Sequence, residues 1–251
     1  MATFWTKKNE DIEDEKTAMP WGELWVKGDR NVPKRRRLKA ALFDLDGTLM
    51  DTEGQYSVFW GATARKYRPD VPQLEQLIKG TTLTQIYTNY FPDPQWQQEI
   101  TKKLDAWEAQ MHYEFYPGVL DFLKDLKRNG VKCAVVTSSN IPKLESVKRQ
   151  IPELDALFDK VLTAEDFTAS KPEPDCYLLG AKTFDADVDE CVVFEDAYTG
   201  LQAGMASGIF TIGLTTGHTR EEIEDKCHYV LEGFEGMNYA KLVDILIKVK
   251  V

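Results

Sequence analysis

The chain has 251 residues, 43% hydrophobic and 29% charged, which is the balance of an ordinary globular protein with a sizeable core. The formal net charge of -10 offers no basic field for a polyanion, so a nucleic-acid partner is not expected. The apolar runs are too short to span a bilayer, and the N-terminus lacks the apolar stretch of a secretory signal. With four widely spaced cysteines and no CxxC pair, a cytoplasmic protein without disulfides, zinc or a membrane anchor is expected.

Residues 1–36 differ from the rest of the chain. They combine an acidic stretch, residues 10–15, with a basic run at residues 34–37, and they show no helical or strand period. Three tryptophans argue against a purely solvated tail, because large rings usually cover an apolar surface. An arm packed on its own or a neighbouring subunit is expected, with a basic nucleic-acid or targeting patch as the alternative. The sequence does not indicate its role.

From Leu38 onward, short apolar runs alternate with segments of helical spacing. Such runs are typical of buried parallel strands, and the alternation predicts a doubly wound, Rossmann-like α/β sheet formed by residues 37–53 and 117–251. The predicted strands are residues 40–43, 131–136, 160–162, 191–194 and 209–213. The predicted helices are residues 118–129, 141–150, 174–184 and 199–207.

The stretch between the first two strands follows a different pattern. Residues 54–116 contain successive helical segments rich in aromatic residues and no buried strand. Aromatic side chains at helical spacing most simply form the core of a small bundle. An all-helical cap inserted into the α/β core is therefore predicted, and it is expected to close over the edge of the sheet.

Two carboxylates follow the first predicted strand, at Asp44 and Asp46. Their spacing of two places both side chains on one side of an extended segment, where repulsion and desolvation require a counter-charge. Mg²⁺ is a natural counter-charge, since it is a hard cation that takes carboxylate and phosphate oxygens. Gly47 would let the backbone turn closely around a phosphate group. An ordinary Asp-Gly turn after a strand is the alternative for this motif alone.

Three more polar groups fall at the predicted carboxyl edge of the sheet. The hydroxyls of Thr137 and Ser138 follow the second strand, Lys171 precedes a helix, and Glu195-Asp196 follows the fourth strand. Each has an ordinary alternative as a helix cap or a surface residue. Their order along the chain favours a shared site, because ligands bind at this edge of a parallel sheet.

With these four motifs in order, the chain resembles the haloacid dehalogenase (HAD) superfamily, in its beta-phosphoglucomutase-like group of small sugar-phosphate phosphatases. The resemblance covers Leu38 to the C-terminus and leaves residues 1–36 unexplained. It implies a hydrolase that releases phosphate from a small phosphorylated metabolite. In such an enzyme Asp44 would be the nucleophile that becomes a phosphoaspartate, and Asp46 the general acid and base. That division requires Asp44 to be ionised and Asp46 to be able to hold a proton.

The resemblance also implies the remaining ligands. Mg²⁺ would be bound by Asp44, the backbone carbonyl of Asp46 and Asp196, with Glu195 as a further or water-mediated ligand. The phosphoryl group would be bound by Lys171 together with the loop residues of the first two motifs. Those loop residues are Gly47, Thr48, Thr137 and Ser138.

Residues of the cap distinguish the two candidate activities, a phosphatase and a phosphomutase. The mutase has a histidine where this chain has Tyr56, and its phosphate-binding arginine falls on Leu83 here, so hydrolysis is favoured and a sugar phosphomutase is the alternative. A non-catalytic binding protein on the same scaffold is the alternative from another class. The sequence names neither the ester nor the oligomeric state. Candidate substrate contacts in the cap are Glu53, Tyr56, Lys79 and Thr82.

Overall fold

A computed structural model describes residues 37–249, so the predicted arm at residues 1–36 lies outside the described residues. Within them, six parallel strands form one sheet in the order β3-β2-β1-β4-β5-β6. The strands are β1 (Ala40–Phe43), β2 (Lys132–Val136), β3 (Lys160–Leu162), β4 (Cys191–Glu195), β5 (Phe210–Leu214) and β6 (Tyr229–Leu231). In this part of the chain no helix is both long and apolar enough to cross a membrane.

Helices cover both faces of the sheet and also fill the long interval between β1 and β2. The helices are α1 (Glu53–Tyr67), α2 (Leu74–Leu77), α3 (Leu83–Tyr90), α4 (Pro94–Glu108), α5 (Val119–Arg128), α6 (Ile141–Gln150), α7 (Leu154–Leu157), α8 (Asp175–Thr183), α9 (Tyr198–Ala206), α10 (Arg220–Ile223) and α11 (Tyr239–Lys248). A 3₁₀ turn at Val188–Glu190 leads into β4.

The central strand β1 is buried on both faces, as a parallel strand between two helical layers must be. Ala41 and Phe43 point to one layer, where Phe43 stacks on Phe194 of β4 with ring centroids 4.7 Å apart. Ala40 and Leu42 point to the other layer. The predicted doubly wound α/β fold is therefore confirmed.

The five predicted strands are present with ends shifted by at most one residue, but β6 and the core helices α7, α10 and α11 were not predicted. The strand β6 has only three residues, too few for a period to emerge from the sequence, and it pairs with β5 at the edge of the sheet.

The helices α1–α4 pack around an apolar cluster of their own, separate from the clusters of buried residues beside the sheet. Phe59, Trp60, Ile86, Phe91 and Leu104 are among its buried members. An inserted all-helical cap is confirmed as part of the fold. The exact boundaries at residues 54 and 116 stay a prediction.

The chain returns to the sheet through Gly118, which precedes α5. Gly118 has a φ of +85°, and a Cβ there would lie 2.3 Å from the carbonyl oxygen of Phe234. A side chain is thus excluded twice, by backbone conformation and by the neighbouring backbone. The other end of α5 closes in a Schellman motif, in which the N–H of Gly130 donates to Lys127 O and that of Val131 to Leu126 O.

We expect Gly118→Ala to lower the free energy of unfolding by about 1–3 kcal/mol, since alanine is strained in this conformation. Gly54→Ala is the matched control. Gly54 lies in α1 with open space around its Cα, so alanine there should be neutral or stabilising. Urea unfolding midpoints measure both changes, and equal midpoints for the two variants would contradict the role given to Gly118.

Candidate active site

The polar motifs of the sequence meet at the carboxyl edge of the sheet. Asp44 follows β1, Thr137 follows β2, and Glu195 ends β4 with Asp196 directly after it. Lys171 lies in the loop between β3 and α8 and reaches the same place from the side. All five side chains are buried. The edge is where a doubly wound sheet binds its ligands.

The ammonium group of Lys171 is the centre of this cluster. Its Nζ lies 2.5 Å from Asp44 Oδ1 and 2.6 Å from Glu195 Oε1, and it donates to Val136 O at 3.1 Å. Burial alone would lower the pKa of Lys171, but Asp44 and Glu195 outweigh burial and raise that pKa above its ordinary range. Lys171 is therefore a fully buried cation that stays charged.

The carboxylate of Glu195 is already fully hydrogen-bonded by the protein. Its Oε1 accepts from Lys171 and from the Tyr177 hydroxyl at 2.6 Å. Its Oε2 accepts from the backbone N–H groups of Asp196 at 3.0 Å and Ala197 at 3.3 Å. Glu195 thus holds Lys171 in place, and its predicted role as a metal ligand stays a prediction.

Three carboxylates converge beside that single ammonium. Ligand atoms of Asp44, Glu195 and Asp196 lie within 4.8 Å of one another. Burial raises the pKa of Asp44 to about 8 against the opposing effect of Lys171. Burial and the neighbouring acids, Glu195 first, raise the pKa of Asp196 well above its ordinary value. Buried oxygen ligands with excess negative charge suit a hard divalent cation such as Mg²⁺.

The first-motif residues Gly47 and Thr48 pack directly on Asp196. The Thr48 hydroxyl donates to Asp196 Oδ1 at 2.8 Å. Gly47 has a φ of +78°, and a Cβ there would lie 2.2 Å from Asp196 Oδ2. The close turn expected at Gly47 is present, and the neighbour that it accommodates is the Asp196 carboxylate. Phosphate binding by Gly47 and Thr48 stays a prediction.

Asp46 stands apart from this cluster and has its own set of donors. Its Oδ1 accepts from the Thr52 hydroxyl at 2.6 Å. Its Oδ2 accepts from the Ser139 hydroxyl at 2.9 Å and from the ammonium of Lys143. Burial raises the pKa of Asp46, but Lys143 and these hydrogen bonds outweigh burial and lower that pKa below its ordinary value.

The pKa values of the two catalytic candidates are thus shifted in directions opposite to those that the sequence predicted. The pKa of Asp44 is raised and that of Asp46 is lowered, whereas the predicted roles require an ionised Asp44 and a protonatable Asp46. The reason is local charge, since Asp44 shares Lys171 with Glu195 and lies beside Asp196, while Asp46 has Lys143 beside it. A cation among the three carboxylates would lower the pKa of Asp44.

The hydroxyl loop after β2 joins the core to the helical insertion. The Thr137 side chain is buried, and its Oγ1 accepts from the Ser139 N–H at 3.0 Å. The Ser138 hydroxyl donates to Gly80 O in the insertion at 3.0 Å. Thr137 and Ser138 line one cavity together with Asp44. Their predicted phosphate binding is compatible with this position and stays a prediction.

The insertion supplies the opposite wall of that cavity. Glu53 and Lys79 line it and form an ion pair of 3.0 Å. Tyr56 also lines it, and the Tyr56 hydroxyl donates to Glu108 Oε1 at 2.8 Å. These three predicted cap residues thus face the site, where their contact with substrate stays a prediction.

Thr82 is placed differently from the other cap candidates. Its side chain caps α3, accepting from Gln85 N at 3.3 Å and donating to Gln85 Oε1 at 2.9 Å. The residues on either side, Thr81 and Leu83, line the cavity instead.

Several residues of the site were missed in the sequence, namely Thr52, Glu108, Ser139 and Lys143. Ser139 belongs to the hydroxyl run after β2 and could have been selected with its neighbours. Lys143 also carries a signal, because it lies in the first turn of α6, where a cation opposes the helix dipole. Thr52 and Glu108 carry no such signal, and only the fold brings Thr52 to Asp46 and Glu108 to the cavity.

Comparison with known proteins agrees with this arrangement. The family model for haloacid dehalogenase-like hydrolases matches residues 41–214. The chain belongs to this family. Hexitol phosphatase A of Escherichia coli (strain K12) is 32% identical over 183 residues, which cover 71% of this chain and 83% of that protein. Validoxylamine A 7'-phosphate phosphatase of Streptomyces hygroscopicus subsp. limoneus is 28% identical over 200 residues, which cover 74% of this chain and 90% of that protein.

Among solved structures, that of CbbY from Rhodobacter sphaeroides in complex with phosphate is similar to this HAD-family chain. It has a TM-score of 0.67 and 25% sequence identity, and the match covers 82% of this chain and 99% of CbbY. Together with the relatives named as phosphatases, it confirms the predicted superfamily and an enzyme of the phosphatase type. The roles of individual residues stay predictions.

The acid cluster makes a prediction for stability. Asp44 has an ordinary pKa of 3.8 and a folded pKa of about 8, so between these values the folded protein binds more protons than the unfolded chain. The free energy of unfolding in a chelator should therefore fall as pH rises through this window. Mg²⁺ should raise the melting temperature, more at pH 8 than at pH 5, because protons compete for the same carboxylates.

Asp196→Asn is the matched variant for this measurement. Removing one of the three acids should raise the melting temperature in chelator at pH 8 and abolish the response to Mg²⁺. Differential scanning calorimetry at both pH values measures the effect without any activity assay. The same Mg²⁺ shift in wild type and Asp196→Asn would contradict a metal site at this cluster.

Proposed function

We propose that this protein is a Mg²⁺-dependent phosphatase that hydrolyses a small phosphate monoester, a sugar or polyol phosphate, through an aspartyl-phosphate on Asp44. The observation that carries the proposal is the buried ammonium of Lys171 between Asp44 and Glu195, with Asp196 beside them and Asp46 held separately at the same cavity. This arrangement provides a nucleophile, a fixed cation and a second carboxyl group for proton transfer.

In the first half of the reaction, Asp44 attacks the phosphorus of the ester. The bond between phosphorus and the ester oxygen breaks, its electron pair stays on that oxygen, and the carboxyl group of Asp46 gives that oxygen a proton. Lys171 compensates negative charge on Asp44 and on the phosphoryl oxygens. The Thr137 hydroxyl offers a donor close to the start of α6, where a helix N-terminus favours an anion.

In the second half, water hydrolyses the phosphoaspartate. The water oxygen attacks phosphorus, the bond to the Asp44 oxygen breaks with its electron pair returning to Asp44, and the carboxylate of Asp46 takes the proton of the water. Phosphate leaves, and both carboxyl groups are restored for the next cycle. The donors at both oxygens of Asp46 favour its carboxylate form, which is the form that takes a proton in this step.

A bound Mg²⁺ would neutralise the phosphoryl oxygens and keep Asp44 ionised. Asp44 and Asp196 are its side-chain ligands in this proposal, and the backbone carbonyl of Asp46 is a third. The predicted participation of Glu195 is less direct, because the Lys171 ammonium, the Tyr177 hydroxyl and two backbone N–H groups already occupy its oxygens.

The substrate class is supported by the relatives and by the wall of the cavity. Two relatives are named as phosphatases of a hexitol phosphate and of validoxylamine A 7'-phosphate. The cavity combines carboxylates of Glu53 and Glu108 with the ring of Trp60. Carboxylates accept hydrogen bonds from hydroxyl groups, and an aromatic face packs on the C–H face of a sugar or polyol.

The alternative, a sugar phosphomutase, is less well supported. Leu83 lines the cavity where the mutase resemblance requires an arginine for the second phosphate. Lys79 lines the same wall, but its ammonium is paired with Glu53. Without a second phosphate contact, a bisphosphate intermediate lacks an anchor for its reorientation.

We expect Asp44→Asn to lower phosphate release by about 10⁴-fold or more, because the amide cannot act as the nucleophile. Malachite-green detection of phosphate from a panel of sugar and polyol phosphates with Mg²⁺ measures the loss. Asp121→Asn, at an exposed position of α5, is the matched control and should keep wild-type activity. A folded Asp44→Asn enzyme with more than a tenth of wild-type turnover would refute the mechanism.

The cap makes a separate prediction about specificity. We expect Lys79→Met to change kcat/KM for a hexitol phosphate by about tenfold, while hydrolysis of acetyl phosphate changes much less, since the smaller ester makes few contacts with the cap wall. Lys66→Met, in α1 but exposed and paired with Glu99, is the control. Equal effects of Lys79→Met on both substrates would remove the cap from substrate recognition.

A further inference from the structure

Lys143 is a buried lysine that lies outside the four motifs of the family resemblance. It occupies the first turn of α6, where its backbone N–H donates to Asn140 Oδ1 at 3.1 Å, and its side chain is 2% exposed. A lysine is rarely buried without a partner, and the N-terminal turn of a helix disfavours a cation. Burial and the helix dipole therefore both destabilise the ammonium group at this position, and specific contacts must offset them.

Those contacts place the ammonium group of Lys143 beside Asp46. The Nζ donates to Asp46 Oδ2, and the Tyr56 ring covers it with the ring centroid 4.5 Å away. Tyr56 is in turn fixed by its hydrogen bond to Glu108 Oε1. The ammonium thus lies between a carboxylate of the core and an aromatic face of the insertion.

The donors around Asp46 come from two separate segments. Thr52 approaches Oδ1 from the start of the insertion, while Ser139 and Lys143 approach Oδ2 from the loop and helix after β2. An ionised carboxyl group only accepts hydrogen bonds, so three donors fit the carboxylate form of Asp46. The Lys143 contact is the charged one, and charge-assisted hydrogen bonds are the stronger and more directional kind.

We propose that Lys143 is a positioning residue for the second half of the reaction, in which it holds the Asp46 carboxylate where it takes the proton of the hydrolytic water. The inference rests on the proposed function. In that step the water oxygen bonds to phosphorus, the bond from phosphorus to Asp44 breaks, and the water proton passes to Asp46. Lys143 touches neither phosphorus nor water, and it acts through the placement of Asp46.

The role has a kinetic consequence that a structural lysine would not have. With p-nitrophenyl phosphate the leaving group needs no proton, so formation of the phosphoaspartate depends little on Asp46. Hydrolysis of the phosphoaspartate still depends on it. Losing Lys143 should therefore slow only the second half and leave the phosphoenzyme to accumulate.

The experiment compares wild type, Lys143→Met and the control Lys148→Met with p-nitrophenyl phosphate and Mg²⁺. Lys148 lies on the same helix but pairs with Asp155 in a more exposed position. In Lys143→Met we expect kcat and KM to fall together by about 10–100-fold while kcat/KM changes less than about threefold. Stopped-flow absorbance should show a burst of p-nitrophenol near one per enzyme, and intact-protein mass spectrometry should show one added phosphoryl group. Lys148→Met should match wild type.

Removing only one partner of a buried ion pair can prevent folding, so a second comparison uses Asp46→Asn as background. The double variant Asp46→Asn with Lys143→Met has neither charge. If Lys143 acts through Asp46, the kcat of the double variant should be within about threefold of that of Asp46→Asn. The reason is that Asp46→Asn has already removed the carboxylate on which Lys143 acts. A further loss of tenfold or more would overturn the proposal.

Two other outcomes separate this inference from the proposed function. If Lys143→Met lowers kcat and kcat/KM by the same factor without a burst, or leaves both unchanged, Lys143 does not position Asp46, and the phosphatase mechanism stands. If wild type releases no phosphate from any ester, or if Asp44→Asn is as active as wild type, the proposed function fails and the role of Lys143 fails with it.

Discussion

The buried ammonium of Lys171 is the constraint on which the rest of the site depends. Parallel strands that end at one edge bring Asp44, Glu195 and Asp196 within 4.8 Å of one another, and like charges at that distance repel strongly where water is excluded. Lys171 offsets part of this repulsion, and Glu195 holds Lys171 in place while its own oxygens accept from Tyr177 and two backbone N–H groups. The remaining excess charge makes the cluster suited to a divalent cation.

The second lysine gives the two aspartates of the first motif different environments. Asp44 and Asp46 are separated by one residue, yet each has its own cation, Lys171 for Asp44 and Lys143 for Asp46. Asp44 shares Lys171 with Glu195 and also lies beside Asp196, whereas Lys143 forms its ion pair with Asp46. Carboxyl groups so close in sequence can take different protonation states only when neighbours separate them in this way.

The helical insertion completes the wall of the site. Its contacts with the core are polar and specific, since Ser138 donates to Gly80 O, Thr199 donates to Lys79 O at 3.2 Å, and Gln85 donates to Lys171 O at 2.9 Å. The last contact ties the insertion to the backbone of the central lysine itself. Charge interactions strengthen where water is excluded, so the proposed closure of the insertion would affect the chemistry as well as the choice of substrate.

The sequence by itself determined the parallel α/β core, the helical insertion and the acids at the edge of the sheet, because strand and helix periods and the strand-to-loop position of each motif are local properties. It did not reveal β6, which is too short to show a period and forms only by pairing with β5. It also missed Lys143, which is separated from Asp46 by 97 positions. Its place in the first turn of α6 is the one local signal, and packing against Tyr56 and Asp46 is what makes it a buried cation. The tertiary structure alone decided the electrostatic state of the site, because the energy of a charge depends on which charges and how much water surround it.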